Sequence, residues 1–165
     1  KKIFLKYKNL ISLQKKMSLI RISKEFHFEM AHVLDKYDGL CAYVHGHSYT
    51  LIITILGTPN NDIMSPKNGM VMDFGVLKDI VNKNIINSFD HSLVVNQKAN
   101  WIEQVQDIDS FSRIIKLPFQ PTSENLLLHF IDIIDKQLPD NVKLVHALLR
   151  ETDSSYAEWF YDDNN

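Results

Sequence analysis

Hydrophobic and polar residues alternate along the first part of the chain. From Leu19 to His32, apolar side chains fall mainly on even positions and most charged or polar ones on odd positions, which predicts a half-buried strand. A second β-rich run extends from His45 to Leu56. Residues 33–44 between them are irregular and contain the turn signal Asp38-Gly39, and residues 57–69 are rich in turn formers. The pattern therefore predicts a long hairpin followed by a loop.

Helical spacing replaces the alternation at two places. Asp73 can cap a helix over about residues 74–88, where apolar side chains recur every three or four positions. A second amphipathic helix is predicted over residues 121–138, just before a proline. Alternation returns over residues 142–151 and 155–161, which predicts two more strands around a short turn.

The element order that results is β-β-α-α-β-β. Residues 92–121 are less regular, and we expect a short helix near 101–106 and a strand near 114–119 there. Two hairpins and two helices predict an α+β fold, an antiparallel sheet with both helices on one face. Because so small a sheet leaves unpaired edges, we also expect an oligomer.

The composition limits the classes of function that the chain can have. The chain has 165 residues, with 18 basic and 20 acidic groups, so no basic excess suggests nucleic acid. No apolar run reaches the ~20 residues of a membrane span. The single cysteine fits a reducing compartment, and we expect a cytoplasmic protein.

Six lysines and no acid lie in residues 1–16, immediately before Met17. We interpret residues 1–16 as a basic N-terminal extension, disordered or non-native, and residues 17–165 as one catalytic domain with an insertion near 96–120. A targeting peptide is the alternative interpretation.

The clearest chemical signal is His45-Gly46-His47. Residues two apart on a strand point the same way, so both imidazoles would face one site. His32 ends the neighbouring strand and shares the parity of its apolar residues, which makes it the best third ligand of a zinc site with one open position. Ordinary surface or core histidines are the alternative.

Cys41 and the pair Asp90-His91 could transfer protons. Cys41 lies four residues before His45, and a thiolate near a cation can act as a base or nucleophile. A carboxylate beside a histidine can set its tautomer, but neighbours in sequence meet in this way only in a turn. The simpler interpretation of Cys41 is a small buried side chain, and that of Asp90-His91 is an N-cap or an exposed loop.

Four polar residues could line a pocket. Glu151 ends the third predicted strand, where a carboxylate could accept two parallel hydrogen bonds from an aminopyrimidinone ring. Thr122, Ser123 and Glu124 start the second helix, and their simplest role is to cap it.

Taken together, six ordered motifs resemble the family of 6-pyruvoyltetrahydropterin and 6-carboxytetrahydropterin synthases. The resemblance covers residues 18 to about 161. The motifs are, in order, FHFEMAH, CAYVHGHSY, GMVMDFGVLK, FDHSL, PTSEN and RETD.

The resemblance implies a tunnelling fold, in which trimers join their sheets into a barrel and usually stack as hexamers. It implies that His32, His45 and His47 hold a catalytic Zn²⁺. It further implies that Cys41, Asp90 and His91 transfer protons, with Cys41 and His91 coming from different subunits. Glu151 would anchor the pterin ring, with Thr122, Ser123 and Glu124 nearby.

The spacing inside the second motif resembles one branch of the family. Three residues separate Cys41 from His45, as in the bacterial 6-carboxytetrahydropterin synthases of the queuosine pathway, whereas animal-type pyruvoyl enzymes place five there. The implied reaction converts 7,8-dihydroneopterin triphosphate to 6-carboxy-5,6,7,8-tetrahydropterin, acetaldehyde and triphosphate. The pyruvoyl product, a non-catalytic pterin-binding protein and a zinc hydrolase or hydratase of another fold are the alternatives.

Overall fold

A computed structural model describes residues 18–164. The predicted N-terminal extension lies outside these residues. Six strands and three helices make up the main elements. The strands are β1 (Ile20–His32), β2 (His45–Gly57), β3 (Ser92–Asn96), β4 (Ile114–Leu117), β5 (Val142–Thr152) and β6 (Ser155–Phe160). The helices are α1 (Phe74–Val81), α2 (Ile102–Val105) and α3 (Ser123–Asp135).

Short helical segments complete the chain. A π-helical stretch (Asn82–Ile86) and a last α turn (Asn87–Phe89) continue α1. Single 3₁₀ turns lie at Leu40–Ala42, Asp109–Phe111 and Tyr161–Asp163. Among the described residues, no helix is long and apolar enough to span a membrane.

The strands form one sheet in the order β4-β3-β1-β2-β5-β6. Pairing of β1 with β2, β2 with β5 and β5 with β6 is antiparallel, as predicted. The prediction of a wholly antiparallel sheet is wrong, because β3 pairs with β1 and β4 pairs with β3 in parallel. The five residues of β3 carry no clear alternation, since Ser92, Val94 and Val95 are all buried, and a strand covered on both faces lacks that signal.

One face of the sheet packs against both long helices. The even positions of β1 and the odd positions of β2 meet Leu77, Val81 and Ile85 of the first helix and Phe130 and Ile134 of α3 in a single core. The α+β arrangement with both helices on one face is therefore confirmed. The side chains of β1 and β2 that point into this core set which residues can reach the site at their ends.

Most element boundaries follow the sequence pattern closely. Asp73 caps α1, accepting a hydrogen bond from the backbone N–H of Gly75 at 2.8 Å. The expected short helix and strand in the irregular region correspond to α2 and β4. This region has its own small core, in which Ile102 packs with Val33, Val95 and Ala99.

Candidate metal and active site

Three histidines converge where β1 ends and β2 begins. His32 stands opposite His45 in the antiparallel register, and Met30 stands opposite His47, so all three imidazoles lie on the core face of the sheet. Their potential ligand atoms lie within 4.8 Å of one another. The Nε2 atoms of His32 and His45 are 3.0 Å apart. The predicted trio is therefore one cluster with the donor set that zinc prefers.

Backbone carbonyls orient two of the three rings. Nδ1 of His32 lies 2.7 Å from the carbonyl oxygen of Pro121, and Nδ1 of His45 lies 2.8 Å from that of Tyr43. A carbonyl oxygen only accepts, so each Nδ1 carries the proton and each Nε2 presents a lone pair. Two lone pairs facing each other repel, whereas a cation between them would bind both. This is the orientation that metal-bound histidines adopt.

Burial keeps this cluster in the form that binds a metal. Only 3% of His32 is exposed. Desolvation lowers the pKa of His32, against smaller raising effects of the Pro121 hydrogen bond and the Glu151 charge. Desolvation also lowers the pKa of His47. The rings of His32 and His47 therefore favour the neutral state, which metal coordination requires.

Glu151 lies beside the histidines and is held by a residue that the sequence analysis missed. The hydroxyl of Tyr49 donates to Oε1 of Glu151 at 3.2 Å, and that oxygen is 3.9 Å from Nε2 of His32. Tyr49 is fully buried and stacks on Phe28 with ring centroids 5.3 Å apart. Burial first, then the Glu151 charge, raises the pKa of Tyr49, so its hydroxyl keeps its proton and stays a donor.

Cys41 lies in the 3₁₀ turn between β1 and β2 and is partly exposed. Its carbonyl accepts the N–H of Leu34 at 2.9 Å. This turn leads into β2, so Cys41 lies four residues before His45, the first residue of that strand.

Asp90 and His91 form a pair, but at a different place. They occupy a turn before β3, with Asp90 Oδ1 and His91 Nδ1 3.0 Å apart and with 39% and 72% of their side chains exposed. Their hydrogen bonds join them to Glu29 and Arg113, and within residues 18–164 none joins them to Cys41 or the three histidines. The Glu29 N–H, then His91 and Arg113, lower the pKa of Asp90. The structure therefore brings the pair together without bonding it to the histidine cluster, although His91 and His47 both line one open cavity.

The start of α3 combines capping with attachment to the sheet. The Thr122 hydroxyl accepts the N–H of Asn125 at 3.3 Å, and Ser123 Oγ donates to the Leu149 carbonyl at 3.3 Å. Glu124 is exposed in the first turn. The Pro121 carbonyl that orients His32 directly precedes this turn. The hydrogen bonds of Thr122 and Ser123 therefore also help to hold that carbonyl in place. Their simplest predicted role, capping, describes Thr122 as observed.

Comparison with known proteins decides the family. The family model described as 6-pyruvoyl tetrahydropterin synthase matches residues 21–161. The chain belongs to this family. A relative from Haemophilus influenzae named 6-carboxy-5,6,7,8-tetrahydropterin synthase is 34% identical over 145 residues, 86% of this chain and 99% of the relative. Relatives of the same name from Rickettsia bellii and Aquifex aeolicus are each 30% identical, covering 85% and 84% of this chain and 99% and 96% of their own lengths.

Solved structures confirm the fold of the family. A Wolinella succinogenes protein described as uncharacterized superposes with a TM-score of 0.67 at 17% identity, covering 87% of this chain and 99% of its own. The Caenorhabditis elegans 6-pyruvoyl tetrahydropterin synthase superposes with a TM-score of 0.61 at 20% identity, covering 87% and 96%. The chain is thus a member of an enzyme family whose fold it shares over nearly all described residues.

Proposed function

We propose that this chain converts 7,8-dihydroneopterin triphosphate to 6-carboxy-5,6,7,8-tetrahydropterin, releasing acetaldehyde and triphosphate, as a step in queuosine-type deazapurine synthesis. The observation that carries the proposal is the cluster of His32, His45 and His47 with Glu151 beside it. The names of the relatives support the same reaction.

The histidines would hold a zinc ion and Glu151 would hold the pterin. Three imidazoles whose potential ligand atoms lie within 4.8 Å of one another suit a tetrahedral site with one open position. Bound there, zinc would act as a Lewis acid on the side-chain hydroxyls of the substrate and ease removal of a neighbouring C–H proton. Glu151 would accept two hydrogen bonds from the aminopyrimidinone ring, with its carboxylate held in place by Tyr49.

Proton transfer would need residues from two subunits. Cys41 lies in the turn that leads to His45, whereas Asp90 and His91 lie in an exposed turn before β3 and form no hydrogen bond with Cys41 within residues 18–164. We therefore propose that Cys41 of one subunit faces the Asp90–His91 pair of a neighbour. The edge strands β4 and β6 would join subunits in a trimer or hexamer, because each has an unpaired side in the described sheet.

Product identification tests the proposed reaction. The chain is incubated with dihydroneopterin triphosphate, and the products are identified by mass spectrometry. We expect 6-carboxytetrahydropterin and acetaldehyde in equal amounts. A 6-pyruvoyl product without acetaldehyde would instead show the alternative reaction of the family. Tight pterin binding without turnover would show a binding protein and contradict the proposal.

A further inference from the structure

Arg113 holds the Asp90–His91 turn from the side opposite β1. Its Nη2 donates to the carbonyl of Asp90 at 2.8 Å and lies 3.5 Å from that of Ser88. Carbonyls at the end of a helix have no partner within that helix, and a guanidinium supplies both a donor and a favourable charge there. Arg113 thus bonds the carbonyls of Ser88 and Asp90, which lie on either side of Phe89, the last residue of the helix before the pair.

The turn needs this support because its backbone is unusual. His91 has φ of 58°, a left-handed conformation that costs a non-glycine residue about 1–3 kcal/mol. The N–H of His91 donates to the Glu29 carbonyl at 2.6 Å, and Asp90 Oδ1 accepts the N–H of Glu29 at 2.9 Å. Together with Arg113, these bonds fix the turn on two sides.

Parallel pairing of β3 and β4 fixes the position of Arg113 in turn. The N–H of Leu93 donates to the carbonyl of Arg113 at 3.1 Å, and Leu93 pairs with Ile114. Both Arg113 and His91 line one open cavity of about 520 Å³, together with Glu29 and Ser48. The segment between β3 and α3 therefore places a cation on the backbone of the turn that carries the imidazole used in the proposed reaction.

We propose that Arg113 is a positioning residue that holds His91 in the orientation needed for proton transfer. This inference rests on the proposed function. A guanidinium that only capped the helix end would change the free energy of unfolding but not turnover by the folded enzyme. One that bound substrate phosphate would mainly change KM.

The test compares Arg113→Met with Lys78→Met in the full chain. Lys78 lies in α1, outside both edge strands, and its side chain is exposed, so it is a matched loss of a cation. With dihydroneopterin triphosphate, kcat of Arg113→Met should fall about 10–100-fold, because small misplacements of a catalytic group have effects of that size. KM and the metal content should change less than about twofold. Lys78→Met should match the wild type.

Two further variants separate positioning from the other roles. Arg113→Lys keeps the charge and one donor and should recover part of kcat; it carries the same comparison if Arg113→Met does not fold. Adding Arg113→Met to His91→Ala should lower kcat less than about twofold further, because the arginine would act through the missing imidazole.

Each other outcome overturns the inference. A rise in KM at unchanged kcat would mean a substrate contact, and losses that multiply in the double variant would mean an independent role. Activity of Arg113→Met equal to that of Lys78→Met would mean that Arg113 only caps the helix end. These results presuppose an active wild type, whereas a wild type that forms no pterin product would overturn the proposed function itself and this inference with it.

Discussion

At the scale of single residues, backbone hydrogen bonds and burial preorganise the three imidazoles for metal binding. The carbonyls of Pro121 and Tyr43 choose the tautomers of His32 and His45, and burial keeps His32 and His47 neutral. Neither effect depends on bound ligands, so the geometry is a property of the folded chain. Such preorganisation raises metal affinity because little reorientation remains when the metal binds.

Removal of one ring should therefore abolish metal binding. His47→Ala should lose its zinc, and turnover should fall at least ~100-fold because the remaining two imidazoles do not form a stable site. His27→Ala is the matched control, since that ring is exposed on β1 and, within residues 18–164, bonds only Thr50 and Glu25. Metal analysis by mass spectrometry checks both variants. A His47→Ala chain that retains one zinc would place the metal elsewhere.

Cys41→Ala separates proton transfer from metal binding. Since Cys41 is not in the ligand cluster, this variant should keep its zinc while turnover falls about 10²–10⁴-fold, the usual contribution of a proton-transfer group. Steady-state kinetics and metal analysis of the same preparation give both values. Full activity of Cys41→Ala would contradict the role proposed for the thiol.

The sequence predicts the residues of the cluster better than their supports. Strand parity alone places His32, His45 and His47 together. The same parity includes Tyr49, two positions after His47, and that signal could have identified it. The supporting carbonyls of Pro121 and Tyr43 leave no such signal, because every residue has one.

At the scale of elements, the first turn of α3 connects the sheet to the site. Thr122 caps the helix, Ser123 bonds β5, and the preceding carbonyl orients His32. The start of this helix was predictable from its Pro-Thr-Ser sequence. Strand β3 was not predictable, because both its faces are covered and its residues do not alternate.

Thr122→Ala should test whether this residue caps the helix or binds substrate. Loss of the cap should lower the free energy of unfolding by about 1 kcal/mol, while KM changes less than about twofold. Thr122→Asp, which keeps an acceptor at the N-cap, should restore the stability. Denaturant unfolding and steady-state kinetics give the two values. A large rise in KM at unchanged stability would instead place Thr122 in the substrate pocket.

At the scale of the whole molecule, the net charge bears on how the substrate is attracted, and the sheet topology decides where Asp90 and His91 lie. Residues 17–165 carry 12 basic and 20 acidic groups, so overall attraction does not bring a triphosphate to the site, and individual cations must do so. The fold class and the order of the four long strands and two long helices follow from sequence periodicity. The position of Asp90 and His91 does not, because it depends on the parallel pairing of β3 with β1.

Complementation tests the proposal that the site lies between subunits. Cys41→Ala and His91→Ala should each be nearly inactive, yet co-assembly of the two should restore turnover at least ~10-fold, because some interfaces then hold both native groups. Co-assembled Cys41→Ala and His47→Ala, whose lost groups would come from the same subunit in each proposed site, should remain inactive. Absence of recovery in verified mixed oligomers would mean that each subunit acts alone.

Metal dependence of turnover is the decisive measurement, made by removing and restoring the metal and following conversion of dihydroneopterin triphosphate. We expect the chelated, metal-free chain to stay folded but to form no 6-carboxytetrahydropterin. Activity should return in proportion to added zinc and saturate near one ion per chain. A metal-free chain that turns over at the full rate would contradict the proposed zinc-dependent reaction.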